Sequence, residues 1–276
     1  MTDLYAVMGN PIGHSKSPLI HTEFARQTSQ ALRYEALLVP LDGFDQAVVD
    51  FRARGGRGLN ITVPFKENAF RLCDRLTPRA ERAGAVNTIC LEDGQTLLGD
   101  NTDGAGLVND LQRVFGSAGQ GARILLVGAG GAARGALGVL LDESPAEVVV
   151  VNRTVSKAVA LADLAASDLV RGVGFDELDG GGFDLVVNST SAGLDGAAPP
   201  LSVSVFEAHT LCYDMMYASE PTPFLRLAES AGVAHLSDGL GMLVEQAAES
   251  FGVWRGIRPE TSPVLEKLRS EFSTKV

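Results

Sequence analysis

Residues Gly128 to Arg134 read GAGGAAR, between a short β-branched run, Ile124 to Val127, and a small-residue helical pattern from Ala132 to Leu141. A glycine turn between strand and helix lets the backbone approach a pyrophosphate and aims unpaired helix N–H groups at it. The next β-branched run, Glu147 to Val151, is followed by Asn152, Arg153 and Thr154, with Lys157 a turn later. A unit for NAD usually places an acidic residue here, on the ribose 2′-hydroxyl. A guanidinium attracts a 2′-phosphate instead, so this chain is expected to use NADP(H).

A second group of polar residues lies in the first hundred positions. The loop GNPIGHSKSP carries Ser15 and Ser17. In an extended segment their hydroxyls share one side and could grip both oxygens of a carboxylate. Ser17, directly before Pro18, also suits a helix N-cap. In the stretch LNITVPFK, Asn60 and Thr62 share one face of a strand and Ile61 and Val63 the other, while Lys66 opens a short helix. Lysines are mostly solvated, and surface placement is the default for Lys66. Asn87 and Thr88 open a hairpin whose turn is Asp93-Gly94, and its far strand runs into GDNTDG. There Thr102 can cap a helix, and Asp103 falls in the first turn, which favours a carboxylate by itself.

The elements that would position these groups follow from apolar spacing. Leu4 to Met8 and Arg33 to Val39 read as strands. Asp42 is placed to cap a helix with Phe44, Ala47, Val48 and Phe51 on one face, stopped by Gly55 and Gly56. Pro64 ends the strand that carries Asn60. After Thr77-Pro78 comes another short helix, closed by Gly84, and then a helix striped with Val108, Leu111 and Phe115. Gly116 to Gly121 reads as a linker between halves. Beyond it, strands and helices alternate, with apolar runs at Asp184 to Val187, Leu211 to Met215 and Val233 to Leu236. That order implies a parallel, doubly wound sheet with its ligand beyond the carboxyl ends of the strands. Two helices, Gly239 to Arg255 and about Pro263 to Phe272, finish the chain.

Composition narrows the function further. The 276 residues are 45% hydrophobic, enough for two ordinary domains, and the net charge of −11 argues against a nucleic-acid partner. Cys73, Cys90 and Cys212 show neither metal nor redox spacing, so no metal is expected and a reducing, cytoplasmic context fits. The four histidines are scattered and give no Ser–His–Asp pattern. No signal peptide is recognisable, and no apolar run nears the ~20 residues that span a bilayer.

In order along the chain stand SKSP, NITVPFK, AVNT, GDNTDG, GAGGAAR, NRT, NSTSAG, YDMMY and GMLVEQA. Together they resemble the bacterial-type shikimate dehydrogenases, over nearly the whole chain. The resemblance implies an α/β fold with an N-terminal substrate domain (residues 1–103), a Rossmann-like NADP-binding domain (104–237) and C-terminal helices (238–276) that return to the substrate domain. It implies NADPH-dependent reduction of 3-dehydroshikimate to shikimate, in aromatic amino-acid biosynthesis. Lys66 and Asp103 would be the catalytic pair. Ser15 and Ser17 would hold the substrate carboxylate, and Thr62, Asn87 and Gln246 its hydroxyls, with Asn60 nearby and Tyr217 closing over it. Gly128, Ala129, Gly130, Gly131 and Ala132 would bind pyrophosphate. Asn152, Arg153, Thr154 and Lys157 would surround the 2′-phosphate, and Thr190, Met215 and Gly239 complete the cofactor contacts. Such enzymes occur as monomers and homodimers. Three alternatives remain open: a dual quinate/shikimate dehydrogenase, disfavoured by Arg153, a non-catalytic NADP-binding protein, disfavoured by the presence of Lys66 and Asp103, and, more remotely, a folate-linked dehydrogenase of similar layout, disfavoured by Ser15 and Ser17. The segment GVGFDELDGGGF belongs to none of these motifs.

Overall fold

The computed structural model of the chain describes residues 2–93, 95–178 and 180–273. Gly94, at the tip of the expected hairpin, lies outside the described residues. The chain divides into two compact units, Met1–Asp103 with Val244–Leu268, and Gly104–Leu243 with Arg269–Val276.

The first unit is built from β1 (Asp3–Gly9), α1 (Ser17–Gln27), β2 (Leu32–Leu38), α2 (Phe44–Ala53), β3 (Gly56–Ile61), α3 (Lys66–Leu72), β4 (Arg75–Leu76), α4 (Pro78–Ala83), β5 (Thr88–Glu92) and β6 (Thr96–Asp100). Its sheet runs in the order β2-β1-β3-β5-β6-β4. Strands β1, β2 and β3 are mutually parallel, whereas β5 is antiparallel to both β3 and β6. Alternation along β1 separates two apolar layers. Ala6 and Met8 pack with Phe44, Val48 and Phe51 of α2, Ala69 of α3 and Ala80 of α4. Tyr5 and Val7 pack with Ile12 and Tyr34, and with Trp254 from the C-terminal segment.

The second unit continues with α5 (Asp103–Phe115), β7 (Arg123–Val127), α6 (Gly131–Asp142), β8 (Glu147–Val151), α7 (Val155–Ala165), β9 (Val170–Val173), β10 (Leu185–Asn188), β11 (Leu211–Asp214), α8 (Pro223–Ser230) and β12 (His235–Asp238). The chain ends in α9 (Leu240–Arg255) and α10 (Ser262–Ser273). The sheet is wholly parallel, ordered β12-β11-β10-β7-β8-β9. Connections run outward in both directions from β7 and β10, so the switch point that receives ligands in such sheets lies between these two strands. Ile124, Leu126, Val148 and Val150 pack under α5, α6 and α7. Leu125, Val127, Val149 and Val151 face Phe183, Phe206 and α8.

Several expectations are corrected. The residue preceding α2 is Gly43 rather than Asp42, and it offers no side-chain cap. Gly56 starts β3 instead of stopping α2, and β3 ends at Ile61, before Thr62 and Pro64. Gly116 closes α5 with a left-handed φ of 69°, so the stretch to Gly121 lies inside the second unit and links no halves. The GVGFDELDGGGF segment begins at the end of an unforeseen strand, β9.

Candidate active site

Lys66 and Asp103 meet. Lys66 Nζ donates to Asp103 Oδ2 at 2.6 Å, with the two side chains 31% and 26% exposed. Lys66 is the first residue of α3, and Asp103 opens α5 directly after β6 and its Asn101-Thr102 extension. The other carboxylate oxygen, Asp103 Oδ1, accepts from Asn87 Nδ2 at 2.8 Å. Asn87 is buried, and its Nδ2 also donates to Gln246 Oε1 of α9 at 3.3 Å. Thr102 is not the helix cap it was expected to be. Its hydroxyl sits on the Asn87 carboxamide, and the Asp103 N–H bonds Asn101 Oδ1 at 3.1 Å instead. Below the pair, Asp100 receives Arg79 on both oxygens, at 2.7 and 2.6 Å, and the Thr77 hydroxyl at 2.6 Å. Burial works to raise this carboxyl, but the guanidinium and the hydroxyl outweigh it and hold it below the usual range.

Asn60 is buried rather than solvated. Its Oδ1 accepts from the Tyr34 hydroxyl at 2.7 Å, and its Nδ2 donates to Ser250 Oγ at 3.0 Å. Ser15 and Ser17 stand at the start of the 11-residue α1. They do not flank an extended residue, because Lys16 has helical angles, φ −86° and ψ −9°. The expected cap is reversed too: Ser15 Oγ accepts from the Ser17 N–H at 3.3 Å. Thr62 is half-buried, its N–H bonded to the Met8 carbonyl at 2.9 Å. Tyr217 belongs to the second unit, where its ring lies 6.2 Å from that of Phe272. Lys66, Asp103, Asn87, Gln246 and Asn60 are thus linked by hydrogen bonds, while Ser15 and Thr62 are not joined to them directly among the described residues. The sequence reading missed Thr102, Thr88, Tyr34 and Ser250 as members of this network. Helical spacing put Ser250 one turn beyond Gln246, but gave no sign of what that face meets.

The second unit offers a cradle for a dinucleotide. Gly128 has φ 108°, and a Cβ there would lie 2.8 Å from Ser189 Oγ, so glycine is required. Gly130 and Gly131 open onto free space, where a Cβ would meet nothing within 4 Å. Gly130 is the cap position of the 12-residue α6 and supplies no side-chain bond, which leaves the first N–H groups for an anion. Ser189 N–H bonds the Val127 carbonyl at 2.9 Å, bringing the ends of β7 and β10 together at the switch point. Thr190 is held by its N–H and hydroxyl on Asn188 Oδ1, at 3.1 and 2.8 Å. Asn152 bonds the Thr154 carbonyl at 3.0 Å. Arg153, Thr154 and Lys157 are exposed, and neither cation has an ion pair among the described residues. The Gly239 Cα lies so near the Met215 carbonyl that any Cβ would clash with it. Asp214, which accepts from Thr222, Asn188 and Met216, pins the Met215 loop, and burial raises its carboxyl. Anion-ready N–H groups, open glycines and unpaired cations fit a 2′-phosphorylated dinucleotide. Among the described residues no His/Cys/Asp/Glu group could hold a metal.

Family models described as the shikimate dehydrogenase substrate binding domain, the shikimate/quinate 5-dehydrogenase and the shikimate 5′-dehydrogenase C-terminal domain match residues 7–89, 110–194 and 239–269. A shikimate dehydrogenase (NADP(+)) of Alkalilimnicola ehrlichii is 60% identical over 272 residues, covering 98% of this chain and 100% of the relative. The crystal structure of an Ael1 enzyme from Pseudomonas putida superposes with a TM-score of 0.92 at 47% identity, over 97% of this chain and 98% of the other. Shikimate 5-dehydrogenase from Thermus thermophilus, solved with NADP(H) and shikimate, gives 0.87 at 35% identity, over 98% and 99% of the two chains. With these motifs in order, this site and full-length similarity of that degree, the chain belongs to the shikimate dehydrogenase family.

Proposed function

We propose that Lys66 and Asp103 handle the proton in an NADPH-dependent reduction of 3-dehydroshikimate to shikimate. The observation that carries this is the 2.6 Å Lys66–Asp103 contact, with Asp103 braced from its other oxygen by Asn87. Bound NADPH supplies the hydride. As the carbonyl carbon is reduced, negative charge grows on its oxygen, and Lys66 Nζ stabilises that charge and donates the proton. An ammonium has three donors. One rests on Asp103, which leaves two to meet the substrate. In the reverse direction the same nitrogen takes the hydroxyl proton.

The other predicted residues take roles that suit their chemistry. Ser15 and Ser17, at the N-terminus of α1, receive the substrate carboxylate, where helix N–H groups favour an anion. Asn87, Thr62 and Gln246 bind ring hydroxyls, with Asn60 behind them, and Tyr217 contributes its ring to the substrate. Gly128 to Ala132 take the pyrophosphate. Asn152, Arg153, Thr154 and Lys157 surround the 2′-phosphate, Met215 and Gly239 border the nicotinamide, and Thr190 adds a further cofactor contact. Free Cys73, Cys90 and Cys212 suit a reducing, cytoplasmic setting.

The test follows NADPH absorbance with 3-dehydroshikimate. Lys66→Ala is expected to lower kcat by roughly a hundredfold or more, with KM for the substrate changed little. Turnover equal to the unsubstituted enzyme removes Lys66 from the mechanism. Efficient use of quinate with NAD would move the chain to a dual-specificity role.

A further inference from the structure

Asp103 is braced by Asn87, and the Asn87 carboxamide has a single usable orientation. Its Oδ1 accepts from the Thr102 N–H at 2.9 Å, a group that only donates. Its Nδ2 faces Asp103 Oδ1, a carboxylate oxygen that accepts. Beneath it lie three hydroxyls with no exposure at all, Thr88, Thr102 and Ser250. Ser250 Oγ is 2.7 Å from Thr88 Oγ1 and 3.1 Å from Thr102 Oγ1. It accepts from Asn60 Nδ2 at 3.0 Å and lies 3.1 Å from the Gln246 carbonyl, one turn back on α9.

Proton directions follow from the groups that have no choice. Thr88 Oγ1 donates to Asn87 Oδ1 at 2.8 Å, so the Ser250 proton is directed at Thr88 Oγ1 and the Gln246 carbonyl, and Ser250 Oγ accepts from its other neighbours. The Thr102 hydroxyl takes an Asn87 amide proton at 2.9 Å and passes its own proton to Ser250. Asn87 N–H, Thr102 O–H and Ser250 O–H then run in one direction and polarise one another. Burying three hydroxyls is costly unless each is satisfied, and alanine or valine would fill this space without that cost. The cluster is more than filling for the core.

We propose that Ser250 is a positioning residue for the Lys66–Asp103 pair. Through the Thr102 hydroxyl and Asn87 it fixes the carboxylate that holds Lys66 Nζ, so α9 sets the catalytic geometry from a segment that follows the second unit in the chain. The inference rests on the catalytic reading of Lys66 above.

Ser250→Ala removes one oxygen at nearly constant shape. The expected result is a kcat about tenfold lower, since small misplacement of a reacting group costs this much or more, with KM for NADPH unchanged. The pH at half-maximal kcat should move by roughly half a unit. In a Lys66→Ala background the same substitution should lower the residual rate no further. Thr102→Val deletes the next hydroxyl in the relay should Ser250→Ala not fold, and Thr102→Ser, which keeps it, should recover most of the rate. Wild-type kcat in both Ser250→Ala and Thr102→Val overturns the proposal, as does an equal loss with and without Lys66. Full turnover by Lys66→Ala alone would instead sink the catalytic reading and this inference with it.

Discussion

Arg153 and His21 show how one side chain's surroundings decide its role. Arg153 is exposed at the end of β8 and has no ion pair among the described residues, and the net charge of −11 gives a phosphate no general attraction. Binding of the 2′-phosphate must therefore come from local cations. A charge-assisted hydrogen bond contributes roughly 1.5–3 kcal/mol, and solvent around an exposed group brings it toward the low end. Arg153→Ala is expected to raise KM for NADPH about tenfold while leaving NADH use unchanged; equal weakening of both would refute the 2′-phosphate role. His21 is the opposite case. It is fully buried, stacked on Tyr34 at 4.3 Å, with neither ring nitrogen hydrogen-bonded among the described residues. Burial pushes its imidazole from 6.5 down to about 3. Below pH 6.5 the unfolded chain takes up a proton that the folded chain refuses, so stability is full above that pH and falls as pH drops toward 3. The slope is about 1.4 kcal/mol per pH unit. Urea unfolding at pH 7 and pH 5 should show a shallower loss in His21→Phe than in the unsubstituted protein; identical slopes would mean that His21 is protonated in the fold. Sequence spacing picked out the glycine cradle and Arg153 because each follows directly on a β-branched run, Ile124 to Val127 and Glu147 to Val151. It could not reveal the Thr88–Ser250 contact, which joins residues 162 apart.

Among the elements, α9 depends on a glycine in a strand. A Cβ on Gly58 of β3 would lie 2.5 Å from Trp254 Nε1. That nitrogen donates to the Ile89 carbonyl of β5 at 3.0 Å, and the ring meets Tyr5 at 4.7 Å. Gln246, Ser250 and Trp254 follow one another at intervals of four along α9, so they share a face. Moving the indole would tilt the row that carries Ser250 and Gln246. Gly58→Ala is expected to cost about 1–3 kcal/mol through overpacking. The chain has one tryptophan, so its fluorescence reports on this contact directly. The expected outcome is a red-shifted native emission and a lower urea midpoint, together with reduced kcat. An unchanged midpoint and spectrum would show that α9 is not anchored there. Strands β7, β8 and β10 of the second unit were legible because each is a short apolar run with β-branched residues, bounded by glycine or polar residues. Strands β4 and β9 were not. The first is two residues long, and the second, VRGV, lies at a sheet edge and is half-buried throughout. Ser17 and Asp42 misled for another reason: a residue suited to capping was assumed to cap, while the neighbouring backbone placed the helix start one residue away.

The path of the chain makes the two units unequal in their independence. Nearly all of the second is one continuous segment, 104–243, with apolar layers on both faces of its sheet. The first is interrupted, and residues 244–268 return to complete it. One face of its sheet is covered from within 1–103, by α2, α3 and α4. On the other face Tyr5, Tyr34 and Phe24 rely on Trp254 and Phe251 of α9; the Phe24 and Phe251 rings lie 5.8 Å apart. A fragment of residues 104–243 should therefore unfold cooperatively and bind NADP, whereas residues 1–103 alone should not. The first fragment does lose Arg269, which pairs with Asp238. That pair is partly exposed and contributes ~1 kcal/mol at most, small beside the stability of a domain of this size. The second fragment loses Trp254 and Phe251 from its aromatic layer and should bind a hydrophobic dye and melt without a sharp transition. Adding a peptide of residues 240–276 should restore some cooperativity, because it returns Phe251 and Trp254. Arg153→Ala within 104–243 should weaken NADP binding as it does in the full chain, since the nucleotide residues proposed here all lie in that segment. Cooperative folding of 1–103 alone would show that the first sheet is stable with only α1 on that face, and that α9 serves the active site without holding the unit together.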